Sequence, residues 1–166
     1  MSCIHGFPPI SRPDAHTLVL GSMPGRESLL QQRYYAHPRN AFWPIVTDLF
    51  DSDAADYEQA TEGLGRHGIA LWDVLKACSR SSSLDSDIDD NSIVTNDFEK
   101  FLIHHPHINR VFFNGAKAES VFRKHILPGL PDSQSKIELQ RLPSTSPAHA
   151  SMSLAEKRQA WMVIVK

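Results

Sequence analysis

The stretch TLVLGSMPG, residues 17–25, decides the fold. Four apolar or β-branched residues run straight into a turn built from two glycines and a proline, the pattern of a short buried strand ending where the backbone must bend sharply. Working outward, residues 69–74, 110–115 and 137–142 have the same character and also end at turn-formers or polar residues. Between them lie stretches with helical apolar spacing, at residues 42–50, 54–67, 98–105 and 116–125. A last helix is expected from the cap Ser153, with Glu156 completing a capping box. Strands separated by helices require right-handed crossovers and a mainly parallel sheet covered on both faces. The expected fold class is therefore α/β, a three-layer α/β/α sandwich around a four-stranded, mainly parallel sheet.

The chain has 166 residues, 41% of them hydrophobic and 22% charged, which suits one domain with a continuous core. No apolar run approaches the roughly 20 residues of a membrane span. The opening MSCIHGFPPISRP lacks the basic and then apolar build of a signal peptide, so a cytoplasmic protein is expected. Two cysteines, Cys3 and Cys78, exclude a disulfide framework and a four-cysteine metal site. The net charge of -2 gives no global field for nucleic acid, so phosphate contacts have to be local. The polar segment at residues 79–96, rich in serine and aspartate, reads as a long surface loop with little core of its own.

The unusual residues fall at the carboxyl ends of the expected strands. Ser22, Met23, Pro24 and Gly25 follow the first strand, Asp73 stands near the end of the second, Asn114 near the end of the third, and Ser144, Thr145, Ser146, Pro147 and His149 follow the fourth. In an open parallel sheet that edge is where ligands bind. A glycine turn alone serves packing as often as binding, and a serine-rich turn is ordinary surface. The segment YYAHPRNAFW, residues 34–43, is more specific. It packs four aromatics, a histidine, an arginine and an asparagine into ten residues, able to stack a base, contact a phosphate and hold a water. Phe42 and Trp43 read as core at the start of a helix. Asn40 has a second reading as the helix N-cap.

The order LGSMPG (20–25), YYAHPRNAFW (34–43), GIALWDV (68–74), VFFNGAKA (111–118) and LPSTSPAHA (142–150) resembles the uracil-DNA glycosylase superfamily, in its hypoxanthine-DNA (deoxyinosine) glycosylase branch. The resemblance runs from about Leu18 to His149. It implies an α/β/α sandwich, base flipping and hydrolysis of the N-glycosidic bond with no cofactor. Two positions depart from the better-known branches. Met23 stands where others carry an aspartate or asparagine in the first catalytic motif, and Leu142 stands where the best-known branch begins its second motif with histidine. The hypoxanthine branch is similar in both respects, and the resemblance assigns catalysis to Asn40.

The base-binding set implied is Ser22, Met23, Pro24 and Gly25 through their backbone, Tyr35 by stacking, and Asp73 and Asn114 by polar contact. Either of the last two has an alternative as a structural cap. Ser144, Thr145, Ser146, Pro147 and His149 are implied as DNA contacts. The expected partner is DNA carrying a deaminated base, met by a monomer without membrane association. No His, Cys and carboxylate cluster has metal-ligand spacing, so metal independence is expected. Two other readings stay open: a nucleic-acid-binding module that lost water activation, suggested by Met23 and Leu142, and a hydrolase of free nucleosides.

Overall fold

A computed structural model describes residues 3–52 and 55–165. Its main sheet is built from β2 (Thr17–Gly21), β3 (Ile69–Asp73), β6 (Arg110–Asn114) and β7 (Glu138–Leu142), in the order β3-β2-β6-β7 and parallel throughout. The four strands are those expected. Val74, Gly115 and Ile137 fall just outside them: the chain turns at Val74, and Gly115 becomes the cap of the next helix at a φ of 96°.

Alternation along each strand divides the core into two layers. Leu18, Leu20, Ala70, Trp72, Val111 and Phe113 face one side, where α4 (Phe98–His104) and α5 (Ala116–Val121) supply Phe98, Phe101, Leu102, Ala118 and Val121. Val19, Ile69, Leu71 and Phe112 face the other, against Phe42, Ile45 and Val46 of α2 (Phe42–Leu49), Leu64 of α3 (Tyr57–Arg66) and Trp161 of α6 (Leu154–Trp161). Burial on both faces explains why these strands read as apolar runs rather than alternating ones. The α/β/α sandwich is thus present.

Three of the helices begin at polar caps. Asp56 accepts from the Gln59 amide and Asp97 from the Lys100 amide. The capping box at Ser153 and Glu156 is formed in both directions. The helix expected at residues 54–67 starts at Tyr57, and residue 54 lies outside the described residues. The helix expected over 116–125 is α-helical only to Val121 and continues as a wider π turn, Phe122–Ile126.

One expectation is corrected. Residues 79–96 are not a bare surface connection. β4 (Leu75–Ser79) pairs antiparallel with β1 (Cys3–His5) and with β5 (Val94–Thr95), forming a second, three-stranded sheet. Between β4 and β5 the chain makes a short 3-10 turn at Asp85–Asp87 and buries Ile88 in the first core layer. The polar side chains are there because they are used. Ser83 accepts from the Arg26 amide at the start of α1 (Arg26–Gln31), and Asp85 accepts from Ser22, so the segment is laid against the end of β2. No helix among the described residues is long and apolar enough to cross a membrane.

Candidate active site

Six stretches of the chain meet at the carboxyl ends of the parallel strands and enclose a cleft of about 720 Å³. Every residue named from the sequence lines it: Ser22, Met23, Pro24 and Gly25 after β2, Tyr35 and Asn40, Asp73 at the end of β3, Asn114 at the end of β6, and Ser144, Thr145, Ser146, Pro147 and His149 after β7. Parallel register explains the convergence, since Gly21 pairs with Asp73 and Asn114 with Leu142 at one sheet edge.

Gly21 is a glycine for a visible reason. A Cβ there would lie 2.5 Å from Asp73 Oδ1 and 2.8 Å from Tyr35 Oη, so the two polar atoms converge on its Cα. Tyr35 Oη and Asp73 Oδ2 are buried without a hydrogen-bond partner among the described residues. Asp73 is only 3% exposed, and its burial, reinforced by the nearby Asp85 charge and opposed by Arg80, pushes its carboxyl up from 3.8 to about 7. Burial likewise drives the Tyr35 hydroxyl well above its ordinary range, with Asp73 adding to the effect and the Asn114 amide opposing it. Tyr35 has a φ of 53°, a left-handed conformation costly for a residue with a Cβ. Its ring is backed by Phe42, centroids 4.2 Å apart at 31°.

Asn40 stands one residue before Ala41, the N-cap position of α2, and its Oδ1 accepts from the Phe42 amide of the first turn at 3.0 Å. This bond fixes the amide plane, and Nδ2 makes no hydrogen bond with the described residues. The next residue is fixed as well, because the Ala41 amide donates to Thr145 O at 2.9 Å. Thr145 is in turn clamped to Asn114, whose Nδ2 donates to Thr145 Oγ1 while Oδ1 accepts from the Thr145 amide, both at 2.9 Å. Asn114 therefore holds the loop after β7. From behind, Trp161 donates to Pro143 O and Lys157 to Ser146 O.

The turn after β2 presents backbone rather than side chains. Met23 lines the cleft, but its side chain packs in the core layer under β2, so it offers no polar group. The Met23 and Gly25 amides donate to no other described residue. Pro24 O accepts from Arg80 Nη2 at 2.7 Å, while Arg80 Nε and Nη1 are buried without a hydrogen-bond partner among the described residues. Leu142 is core.

The sequence reading did not select His37, Ser83, Leu84 or Asp85, all of which line the cleft. His37 Nδ1 accepts from the Arg39 amide, so the neutral ring carries its proton on Nε2. His37 was visible within AHPRN; the others lie in the polar segment whose long-range contacts no local pattern shows. Among the described residues no group of three or more His, Cys, Asp or Glu side chains is placed to hold a metal ion. His104 and His105, adjacent histidines at the end of α4, bond backbone carbonyls one turn earlier.

Comparison with known proteins agrees with this geometry. Residues 8–165 match the family described as the uracil DNA glycosylase superfamily. The chain is 37% identical over 115 residues, 68% of this chain and 72% of the relative, to a hypoxanthine DNA glycosylase of Methanosarcina barkeri. It is 34% identical over 163 residues, 97% of both chains, to a hypoxanthine DNA glycosylase of Methanosarcina acetivorans. A solution NMR structure from Methanosarcina acetivorans, described as a candidate uracil DNA glycosylase, superposes with a TM-score of 0.79 at 34% identity, covering 99% of this chain and 97% of that one. A cleft at the carboxyl edge of a parallel sheet, the motif order around it and a match over nearly the whole sequence together place this chain in the uracil DNA glycosylase superfamily.

Proposed function

We propose that this protein is a monofunctional DNA glycosylase that flips a deaminated nucleotide out of the stack and hydrolyses its N-glycosidic bond, with hypoxanthine as the preferred base. One observation carries the reading. Asn40, in the segment YYAHPRN, lines the cleft with its amide held in place by the bond to Phe42, and both relatives described as hypoxanthine DNA glycosylases share more than a third of the aligned residues.

In this reading Tyr35, backed by Phe42, stacks on the flipped base, and the Met23 and Gly25 amides meet its edge. The loop from Ser144 to His149 grips the DNA backbone, held rigid by Asn114, Lys157 and Trp161. Breaking the C1′–N bond leaves positive character on the sugar, so the water needs orientation rather than prior deprotonation. Asn40 supplies this. One lone pair of Oδ1 is used by the Phe42 amide, and the second takes a water hydrogen, turning the water's own lone pair toward C1′. A single chain acts, without a metal ion.

A second reading rests on Met23 and Leu142, both packed into the core where better-known branches place reactive side chains. It makes the protein a nucleic-acid-binding relative without turnover. Incubation of a labelled duplex containing one deoxyinosine, in chelator, followed by hot alkali separates the two. Strand breaks that appear only after alkali support the glycosylase. Tight binding without alkali-labile sites supports the binding module, and activity that requires added zinc or magnesium overturns the metal-free mechanism.

A further inference from the structure

We propose that Asp73 is a general acid that delivers a proton to a ring nitrogen of the departing purine. The inference rests on the reading of the cleft as a hypoxanthine glycosylase site and assigns a second catalytic group to it.

Asp73 is the last residue of β3 and lines the floor of the cleft, yet its carboxyl makes no hydrogen bond with the described residues. A buried carboxylate in that position lacks the donors that normally stabilise its charge. The groups around it have been arranged to keep it neutral. From β2 comes only the Cα of Gly21; from the segment before α2 come the hydroxyls of Tyr34 and Tyr35; from the segment after β4 come Asp85 and Arg80. Arg80, the single cation in this set, is drawn away to Pro24 O, and Asp85 adds negative charge. Burial and Asp85 together outweigh Arg80, and the carboxyl reaches about 7, where it is an effective proton donor near neutral pH.

Placement within the sheet separates this role from that of Asn40. Asp73 ends β3, at one edge of the order β3-β2-β6-β7, whereas Asn40 is tied through Ala41 to Thr145, which Asn114 holds at the end of β6. Two strand spacings, about 10 Å, divide β3 from β6. A nucleotide entering over the Ser144–His149 loop therefore brings its sugar to Asn40 and its base toward Asp73. Hypoxanthine carries N3 and N7, two in-plane nitrogen lone pairs that uracil lacks. As the C1′–N9 bond breaks, its electron pair moves into the base, the Asp73 proton goes to N3 or N7, and neutral hypoxanthine leaves. Water adds to C1′ and releases one proton to solvent, from which Asp73 is reprotonated.

The test is single-turnover excision from a deoxyinosine duplex between pH 5.5 and 9, by the wild type and by Asp73→Asn, with 7-deaza and 3-deaza analogues as further substrates. The wild-type rate should fall as pH rises through about 7, approaching tenfold per unit. Asp73→Asn, which cannot release a proton, should be about a hundredfold slower and flat over the same range. One deaza analogue should lose the falling limb. Urea melts of the Asn variant establish that it is folded. Asp73→Asn with the wild-type rate and profile, a wild-type rate that rises with pH, or a falling limb that survives with both analogues overturns the role of Asp73 while leaving the glycosylase reading intact. A folded wild type that leaves deoxyinosine uncut at every pH overturns both.

Discussion

Asn114 and Thr145 are joined by two reciprocal hydrogen bonds of 2.9 Å, one from the Asn114 amide to the threonine hydroxyl and one from the threonine backbone amide to the asparagine oxygen. Both residues are buried, and Thr145 O also receives the Ala41 amide. The end of β6, the loop after β7 and the residue following Asn40 thus form one rigid unit. Thr145→Val should leave the Asn114 amide buried with a lost partner, costing about 1–3 kcal/mol of stability and slowing excision, while Thr145→Ser should stay near wild type on both counts. Urea melts beside single-turnover rates check this. Equal behaviour of the valine and serine variants would remove the clamp from the account.

Gly21→Ala tests the close approach at the cleft floor. The new methyl meets Asp73 Oδ1 and Tyr35 Oη at 2.5 and 2.8 Å, so both side chains, or the strand between them, must move. The variant should fold with about 1–3 kcal/mol less stability, and displacement of the base-facing groups should cost about a hundredfold in rate. A wild-type rate from Gly21→Ala would mean that these groups do not meet the base.

Much of this arrangement is legible in the sequence because its signals are local. Strands such as Leu18–Leu20 are buried on both faces and read as apolar runs, and a parallel sheet gathers their ends, so Ser22, Asp73, Asn114 and Thr145 can be placed together before any coordinates exist. What escapes is nonlocal. β4 begins one residue after β3, and the switch between sheets at Val74 is made by its amide bonding Gly21 O and its carbonyl accepting from Asn96. No periodicity marks that break. The serines and aspartates after β4 read as loop because their partners, Ser22 and the Arg26 amide, lie more than fifty residues away. Asn114 shows the same limit: its polarity at a strand end marks the site, but only its contacts reveal a clamp.

Tyr35→Phe should separate stability from function. The hydroxyl is buried without a partner among the described residues, and an unpaired buried polar group costs about 1–3 kcal/mol. Its removal should raise the urea midpoint and, if the proposed base contact is made by Tyr35, slow excision. A variant that melts below wild type would show that the hydroxyl is satisfied in the free protein.

Asp73 should also make stability depend on pH. Its carboxyl stands near 3.8 when unfolded and near 7 when folded, so between these values the folded state binds more protons than the unfolded state. Stability therefore declines as pH rises from about 4 to about 7 and levels off above that, by an amount on the order of a few kcal/mol. Asp73→Asn lacks this decline. Its advantage over wild type should be absent at the acid end, grow toward pH 7 and then stay constant; parallel curves for the two proteins would place the Asp73 carboxyl at an ordinary value.

The central claim is that Asn40 carries the hydrolysis, and it is tested by single-turnover excision from a deoxyinosine duplex beside thermal melting of Asn40→Ala and Asn40→Asp. Loss of the bond to Phe42 should cost the alanine variant about 1 kcal/mol, and loss of water orientation about a hundredfold or more in rate, while DNA affinity stays close to wild type. The aspartate variant keeps an acceptor for the Phe42 amide and for a water hydrogen, so it should melt like wild type and retain part of the rate. A folded Asn40→Ala protein that excises hypoxanthine at the wild-type rate would contradict the account, leaving Asn40 as a support for the first turn of α2 and nothing more.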